Sequence, residues 1–354
     1  MNSKTRGIVL AGQHAWRDSK FDRLSPRPLL PVANEPLFSY AVRWLVQGGV
    51  RDVTISVNSE TRAVRHALEM MPDVPAVLLH EDAAPRGPAG CIADAIAGTD
   101  AETVVVVDGT SAPAASVEAL LERHESSGAA ATVLVHPEPG QPAEAGRFVP
   151  GGLYAFSRRV VDLVPPKGFH DIKEGLLPRL YRAGERTAAF VAAQASPRPL
   201  DPASYLALNE WVVERVAAGA PPAGYTRRAD GALVHETAVV SPDAVFVGPV
   251  VVGARAQVMA GATVVGPTSI GHDSVLGPRA LVSRSAVWSS CSIGEDAVAD
   301  RCIVPDRCVL RPRARVLSQV LDPVPGTTSQ TPTTRRLRAS FLNPFRSADA
   351  VASK

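Results

Sequence analysis

The chain has 354 residues, 45% of them hydrophobic and 20% charged, with a formal net charge of +2. That is the length of two domains with ample apolar material for packed cores, and so balanced a charge excludes a polycation built along its whole length for nucleic acid. Four sparse cysteines without a C-x-x-C pair exclude a disulfide scaffold, and the absence of a signal-peptide pattern or an apolar run of spanning length points to a cytoplasmic protein with reduced thiols.

The first element is the apolar run Ile8-Val9-Leu10, which ends in Ala11-Gly12. This reads as a buried strand entering a tight turn, where small residues let backbone amides approach a ligand. The polar loop that follows holds Arg17, Lys20, Arg23 and Arg27, and then Pro28-Leu29-Leu30-Pro31-Val32 leads the chain out extended. Cations set after a first strand suit a phosphate ligand. Phe38, Ala41, Val42, Leu45 and Val46 share one helical face, closed by Gly48-Gly49. Val53–Asn58 predicts a second buried strand, Thr61–Met70 a helix and Ala76–Leu79 a third strand. Next come a Gly/Pro turn, Arg86-Gly87-Pro88-Ala89-Gly90, and a helix over Cys91–Ala97. Thr103–Val107 is a continuous apolar run, a central parallel strand that ends in Asp108-Gly109. A helix over Ser116–Ser126 and a strand over Ala130–Val135 continue the alternation. The fold class is therefore α/β, with ligands expected at the carboxyl ends of the strands.

These pieces resemble the sugar-1-phosphate nucleotidyltransferases, or NDP-sugar pyrophosphorylases. That family opens with L-A-G-G-x-G-T-R-L and then P-K-P-L-L-P-V. The counterparts here are Leu10-Ala11-Gly12-Gln13-His14-Ala15-Trp16-Arg17-Asp18 and Pro26-Arg27-Pro28-Leu29-Leu30-Pro31-Val32. Gly87, Ala89 and Gly90 stand where the family carries L-G-T-A-G, and Gly151-Gly152-Leu153-Tyr154 resembles its N-A-G-I-Y strand. The segment Phe169–Pro178 matches F-x-D-I-x-E-x-L-L-P, a mainly structural piece. The resemblance implies a Rossmann-like domain with a mixed, mainly parallel sheet. It assigns Arg17 and Arg27 to catalysis, and Ala11, Gly12, Gln13, Gly87 and Gly90 to the nucleotide. Gly152 goes to the sugar and Asp108 to a catalytic Mg2+.

The motifs also depart from the family. Gln13, Ala15 and Trp16 crowd the glycine loop, and Asp108-Gly109 inverts the family's Gly-Asp. The section around Glu138-Pro139 is short. The position of the family's second metal ligand carries Arg198, with Asp201 nearby but out of register. Asp108 reads equally as a turn residue. Two functions stay open: transfer of a nucleotidyl group from an NTP to a sugar-1-phosphate, and a non-catalytic regulatory, nucleotide-sugar-sensing or scaffolding homologue.

From Val234 a period of six begins. Val234, Val240, Phe246, Val252, Val258 and Val264 open a series of large residues that runs on to Trp288, with a mostly small residue four places after each. This is the signature of a parallel β-helix, with a register slip near Ile293-Gly294. In the hexapeptide-repeat proteins it resembles, the helix is left-handed and often makes oligomer contacts, so a homo- or hetero-oligomer is implied. A mannose-1-phosphate guanylyltransferase-like layout pairs such a helix with a pyrophosphorylase domain. Some hexapeptide proteins are acyltransferases with a His base, for which His235 and His272 are the candidates. The boundaries read as 1–220 for the nucleotidyltransferase-like domain, 221–232 for a linker, 233–312 for the β-helix and 313–354 for a basic, disordered tail. Arg335-Arg336-Leu337-Arg338-Ala339-Ser340-Phe341-Leu342 in that tail is a candidate docking peptide.

Overall fold

The computed structural model describes residues 4–12, 21, 24–58, 60–71, 74, 77–81, 86–138 and 146–322. They fall into two units. One comprises residues 1–17, 26–29 and 36–197; the other comprises 18–25, 30–35 and 198–354.

The first unit supplies β1 (Thr5–Leu10); a short two-stranded pair, β2 (Pro31–Val32) and β3 (Glu35–Pro36), begins in the second unit's segment 30–35 and leads into α1 (Leu37–Gln47) of the first, which β4 (Asp52–Val57) follows. Next are α2 (Thr61–Glu69), β5 (Leu78–Glu81), α3 (Gly87–Ala95), β6 (Thr103–Asp108) and α4 (Val117–Ser127). The antiparallel pair β7 (Ala131–Pro137) and β8 (Phe148–Ser157), the one-turn α5 (Arg158–Val161), α6 (Leu177–Arg182) and β9 (Thr187–Val191) complete it. Apart from β2 and β3, which pair with each other, these strands make one sheet in the order β5-β4-β1-β6-β8-β7-β9, in which only β8 runs against its neighbours. It is mixed and mainly parallel, as the strand and helix alternation implies. Val104 to Val107 are fully buried, because helices cover both faces of the central strand. The third strand starts two residues later than its apolar pattern suggests, and β9 went unread because its burial merely alternates at a sheet edge.

In the second unit, α7 (Pro202–Ala218) precedes strands running from Leu233 to Leu317. They stack into three parallel sheets, a β-helix whose core is lined by residues such as Val252, Val258, Val264 and Leu276. The register slip lies earlier than the hexad pattern suggests. Val265 pairs with Ser283, eighteen residues on, but Ser269 pairs with Ala286, seventeen on. One residue is lost at the corner between them. The inward series then runs through Val287, Ile293, Ala299, Val304 and Leu310. Trp288 faces outward, and its Nε1 donates to Tyr205 Oη on α7 at 2.7 Å.

The same shift puts Cys291, Cys302 and Cys308 into the small inward positions. Burial pushes the Cys291 thiol up to about 12 and those of Cys302 and Cys308 to about 11, so they are inert packing groups. Residues 30–35 pack in this unit too. Tyr205 Oη donates to Pro31 O, Ala33 N donates to Asn209 Oδ1 at 2.9 Å, and Asn34 Nδ2 donates to Ile270 O at 2.8 Å.

One buried group makes the first unit sensitive to acid. His124 on α4 is 5% exposed, and its ring lies between Thr132 Oγ1 at 2.9 Å and Ser157 Oγ at 3.3 Å. Burial lowers its pKa from the ordinary 6.5. A depressed pKa in the folded state means that its contribution is complete above pH 6.5 and is lost as pH falls toward the folded value. Stability measured by urea unfolding should decline below that pH. His124→Gln should flatten the decline while costing about 1 kcal/mol at neutral pH; an unchanged slope would remove His124 as its source.

Candidate nucleotide-binding site

The site is built from the carboxyl ends of three adjacent parallel strands. Leu10 of β1 pairs with Ser56 of β4 on one side and with Asp108 of β6 on the other. Past these pairs the chains stay close: Ala11 N donates to Ser56 O and Gly109 N to Leu10 O, each at 2.9 Å. Glycine is what lets them do so. A Cβ on Gly12 would lie 3.2 Å from the Asn58 side-chain amide, and one on Gly109 3.1 Å from Leu10 O. On the far side of β6, Leu153 of β8 pairs with Val107, so Gly152 falls beside the end of β6, with φ +81°. The structure thus brings Ala11, Gly12, Asp108 and Gly152 to one edge of the sheet. Asn58 and Gly109 join them, and Asn58 is not part of any sequence motif. The signal for Asn58 was a polar residue ending an otherwise apolar strand, V-T-I-S-V-N.

Asp108 is engaged locally. Its Oδ1 accepts from Thr110 N at 2.9 Å and from Thr110 Oγ1 at 2.7 Å. Its backbone carbonyl accepts from Ser111 N at 3.2 Å and Ser111 Oγ at 3.0 Å. These bonds close a turn of the kind that Asp-Gly favours.

Gly87 and Gly90 do not lie in a loop; they form the first turn of α3, which begins four residues before the expected start. Both have structural reasons. Gly87 has φ +78°, and a Cβ there would come within 2.6 Å of His170 O. That carbonyl accepts from Ala89 N at 3.0 Å, while His170 N donates to Arg86 O at 2.7 Å. A Cβ on Gly90 would fall onto the Arg86 side chain. Arg86 lies back along the helix, with Nε 3.1 Å from Asp94 Oδ2, Nη2 2.5 Å from Asp94 Oδ1, and Nη1 donating to Pro165 O at 2.6 Å. The guanidinium is therefore a staple between α3 and the chain around Pro165.

Arg27 opens a 3-10 turn over Arg27–Leu29 that packs on α1, and it is partly buried. Gln13 and Arg17 lie outside the described residues. In the second unit, Asp201 caps α7: its Oδ1 accepts from Ser204 N at 2.7 Å within a capping box. Its carboxylate thus has a structural role in the register where it stands. Among the described residues, no group of three or more His, Cys, Asp or Glu side chains converges to hold a metal ion. Asp108 turned onto Thr110 and Asp201 capping α7 are each engaged within their own unit.

The two histidines considered as acyl-transfer bases are also occupied. His272 Nδ1 accepts from Ala254 N at 2.9 Å, and His235 Nδ1 accepts from Thr237 N at 3.2 Å.

Residues 7–162 match the family model of the MobA-like NTP transferase domain. The bifunctional protein GlmU of Exiguobacterium sp. (strain ATCC BAA-1283 / AT1b) is 24% identical over 83% of this chain and 69% of its own length. The mannose-1-phosphate guanylyltransferase of Mycobacterium tuberculosis (strain ATCC 25618 / H37Rv) is 24% identical over 71% of this chain and 76% of its own. A probable mannose-1-phosphate guanylyltransferase 3 of Oryza sativa subsp. japonica is 22% identical over 90% and 99%.

The glycine geometry generates a test. Gly87→Ala should cost roughly 2 kcal/mol or more in chemical unfolding, since it combines a left-handed φ with a backbone collision. Gly12→Ala meets only the Asn58 side chain and should cost less than half of that. Equal losses would remove the left-handed turn at Gly87 as the reason for its glycine.

Proposed function

We propose, for a chain that carries a nucleotidyltransferase domain of the sugar-1-phosphate nucleotidyltransferase kind, that it binds a nucleoside triphosphate or an NDP-sugar at the carboxyl edge of β1, β4 and β6. The proposal assigns it a sensing role there in place of turnover. The reading rests on the Asp108 carboxylate, whose Oδ1 takes two hydrogen bonds from Thr110. A group that closes its own turn is poorly placed to cradle a cation, and the counterpart of a second acidic ligand is a guanidinium, Arg198. The glycines at residues 12 and 109 permit close approach of a ligand to the strand ends, which suits phosphate and base recognition and needs no protein-held metal. Arg27 and Arg17 would supply positive charge toward the phosphates, and Gly152 leaves room beside β6 for the sugar. Nucleotidyltransferases of this family commonly use Mg2+; a triphosphate can bring its own ion through its phosphate oxygens.

The second reading is nucleotidyl transfer itself. It is favoured by the register that sets Asp108 directly beside the end of β1. In that case a sugar-1-phosphate attacks the α-phosphorus in line and pyrophosphate leaves, while the arginines neutralise the developing charge.

Thermal unfolding with a panel of nucleoside triphosphates and NDP-sugars, each with and without Mg2+, separates the two readings. The expected result is a rise in Tm with at least one ligand, no pyrophosphate release with sugar-1-phosphates, and an unchanged rise in Asp108→Asn, whose amide oxygen still accepts from Thr110. Pyrophosphate release that Asp108→Asn reduces by about a hundredfold or more would establish transfer instead. The absence of a Tm shift with every ligand would remove the nucleotide reading.

A further inference from the structure

Residues 26–29, which carry Arg27, belong to the first unit, whereas the chain on either side of them, 18–25 and 30–35, belongs to the second. The leading flank is anchored through Phe21. It is buried, its ring centroid lies 5.5 Å from that of Tyr205 on α7, and its carbonyl accepts from Leu24 N at 3.1 Å. The trailing flank is the hairpin of β2 and β3, turned at Ala33-Asn34 with φ +45° and +73°. A two-residue turn with both φ positive favours Asn-Gly, because a Cβ disfavours that region. Ala33 therefore adopts a shape its own residue type disfavours, and contacts from outside the hairpin hold it there.

Those contacts come from α7 and the β-helix. Asn209 is fully buried, and its Oδ1 accepts from Ala33 N at 2.9 Å and from Ser269 Oγ at 3.1 Å. Asn34 Nδ2 donates to Ile270 O at 2.8 Å, while Asn34 O lies 3.3 Å from His272 Nε2. Since His272 Nδ1 accepts from Ala254 N, Nε2 is the nitrogen that carries a proton and donates. Tyr205 serves both flanks at once. Its ring meets Phe21, and its hydroxyl donates to Pro31 O and accepts from Trp288 Nε1 at 2.7 Å.

The hairpin ends at Pro36, the N-cap of α1, and the 3-10 turn over Arg27–Leu29 packs on that same helix. Arg27 stands three residues before Leu30, at most about 11 Å along the chain. We propose that the second unit sets the position of Arg27: Tyr205, Asn209 and Trp288 are positioning residues that hold both flanks of residues 26–29. The inference rests on the reading above, in which Arg27 supplies positive charge to the phosphates of a nucleotide. A guanidinium binds phosphate through parallel hydrogen bonds, whose strength falls once the fork is displaced. Loosening the flanks therefore weakens the phosphate contacts and leaves recognition of the base as it was.

The test is calorimetric titration of the full chain with ATP, GTP, CTP and UTP. Tyr205→Phe keeps the ring and deletes the hydroxyl; Asn34→Gly deletes the donor to Ile270 O and suits the left-handed turn. Each should weaken triphosphate binding roughly tenfold. Arg27→Ala should weaken it at least as much, and adding Tyr205→Phe to Arg27→Ala should cost nothing further, since both act through one contact. Wild-type affinity in both flank variants, even with a lowered Tm, would overturn the proposal. So would losses that add in the double variant. Melting curves verify that the variants are folded, and Trp288→Phe replaces one that is not. Hydrogen exchange read by mass spectrometry separates this inference from the nucleotide reading. Amides from Arg27 to Ala33 should exchange faster in both flank variants, with those of β6 unchanged. If the wild type binds no triphosphate, the nucleotide reading fails; faster exchange then still supports the positioning, and wild-type exchange overturns it.

Discussion

The register of β1 between β4 and β6 is the constraint from which the candidate site follows. Three parallel strands, buried on both faces, must end at the same level, so Ala11-Gly12, Asn58 and Asp108-Gly109 share an edge. Their backbones then approach so closely that a Cβ at residue 12 or 109 would press on its neighbours at 3.0–3.2 Å. Small residues at this edge are favoured by the sheet before any ligand arrives.

At Asp108 two demands compete for one carboxylate. A turn after a central strand needs its amides satisfied, and Thr110 supplies both a backbone and a hydroxyl donor to Oδ1. A divalent cation would need that oxygen directed outward. A similar settlement is reached at Arg86, whose guanidinium is taken by Asp94, and at Asp201, taken by the N-terminus of α7. Three charged groups near the family's motifs have thus been turned to holding the fold, which is why the likeness in frame exceeds the likeness in chemistry.

The β-helix works on a different principle. Each coil cannot bury its inner face alone, so stability comes from stacking, with one large and one small residue per side. Losing a residue at a corner is tolerated because the inward direction is recovered within the next strand. After Val282 the large position moves to Val287, cysteines take small positions, and Trp288 is released to meet Tyr205. The outer corners carry Arg–Asp pairs from coil to coil, Arg255 with Asp273 and Arg279 with Asp296.

By itself, the sequence determined the two architectures and the order of most of their elements, because apolar runs and a six-residue period report burial directly. It also placed Ala11, Gly12 and Asp108 at strand ends, and the family resemblance singled out Gly152. Only the tertiary structure decided what Asp108, Arg86 and Gly90 do, since a side chain's partner depends on contacts that spacing does not encode. It also moved the register slip to the corner before Ala286, because a hexad count continues through a deletion as long as neighbouring residues are also apolar. His170 closing the turn at Gly87, and Asn58 beside Gly12, were invisible for the same reason. Both are contacts between segments far apart in the chain, set by how strands and helices pack.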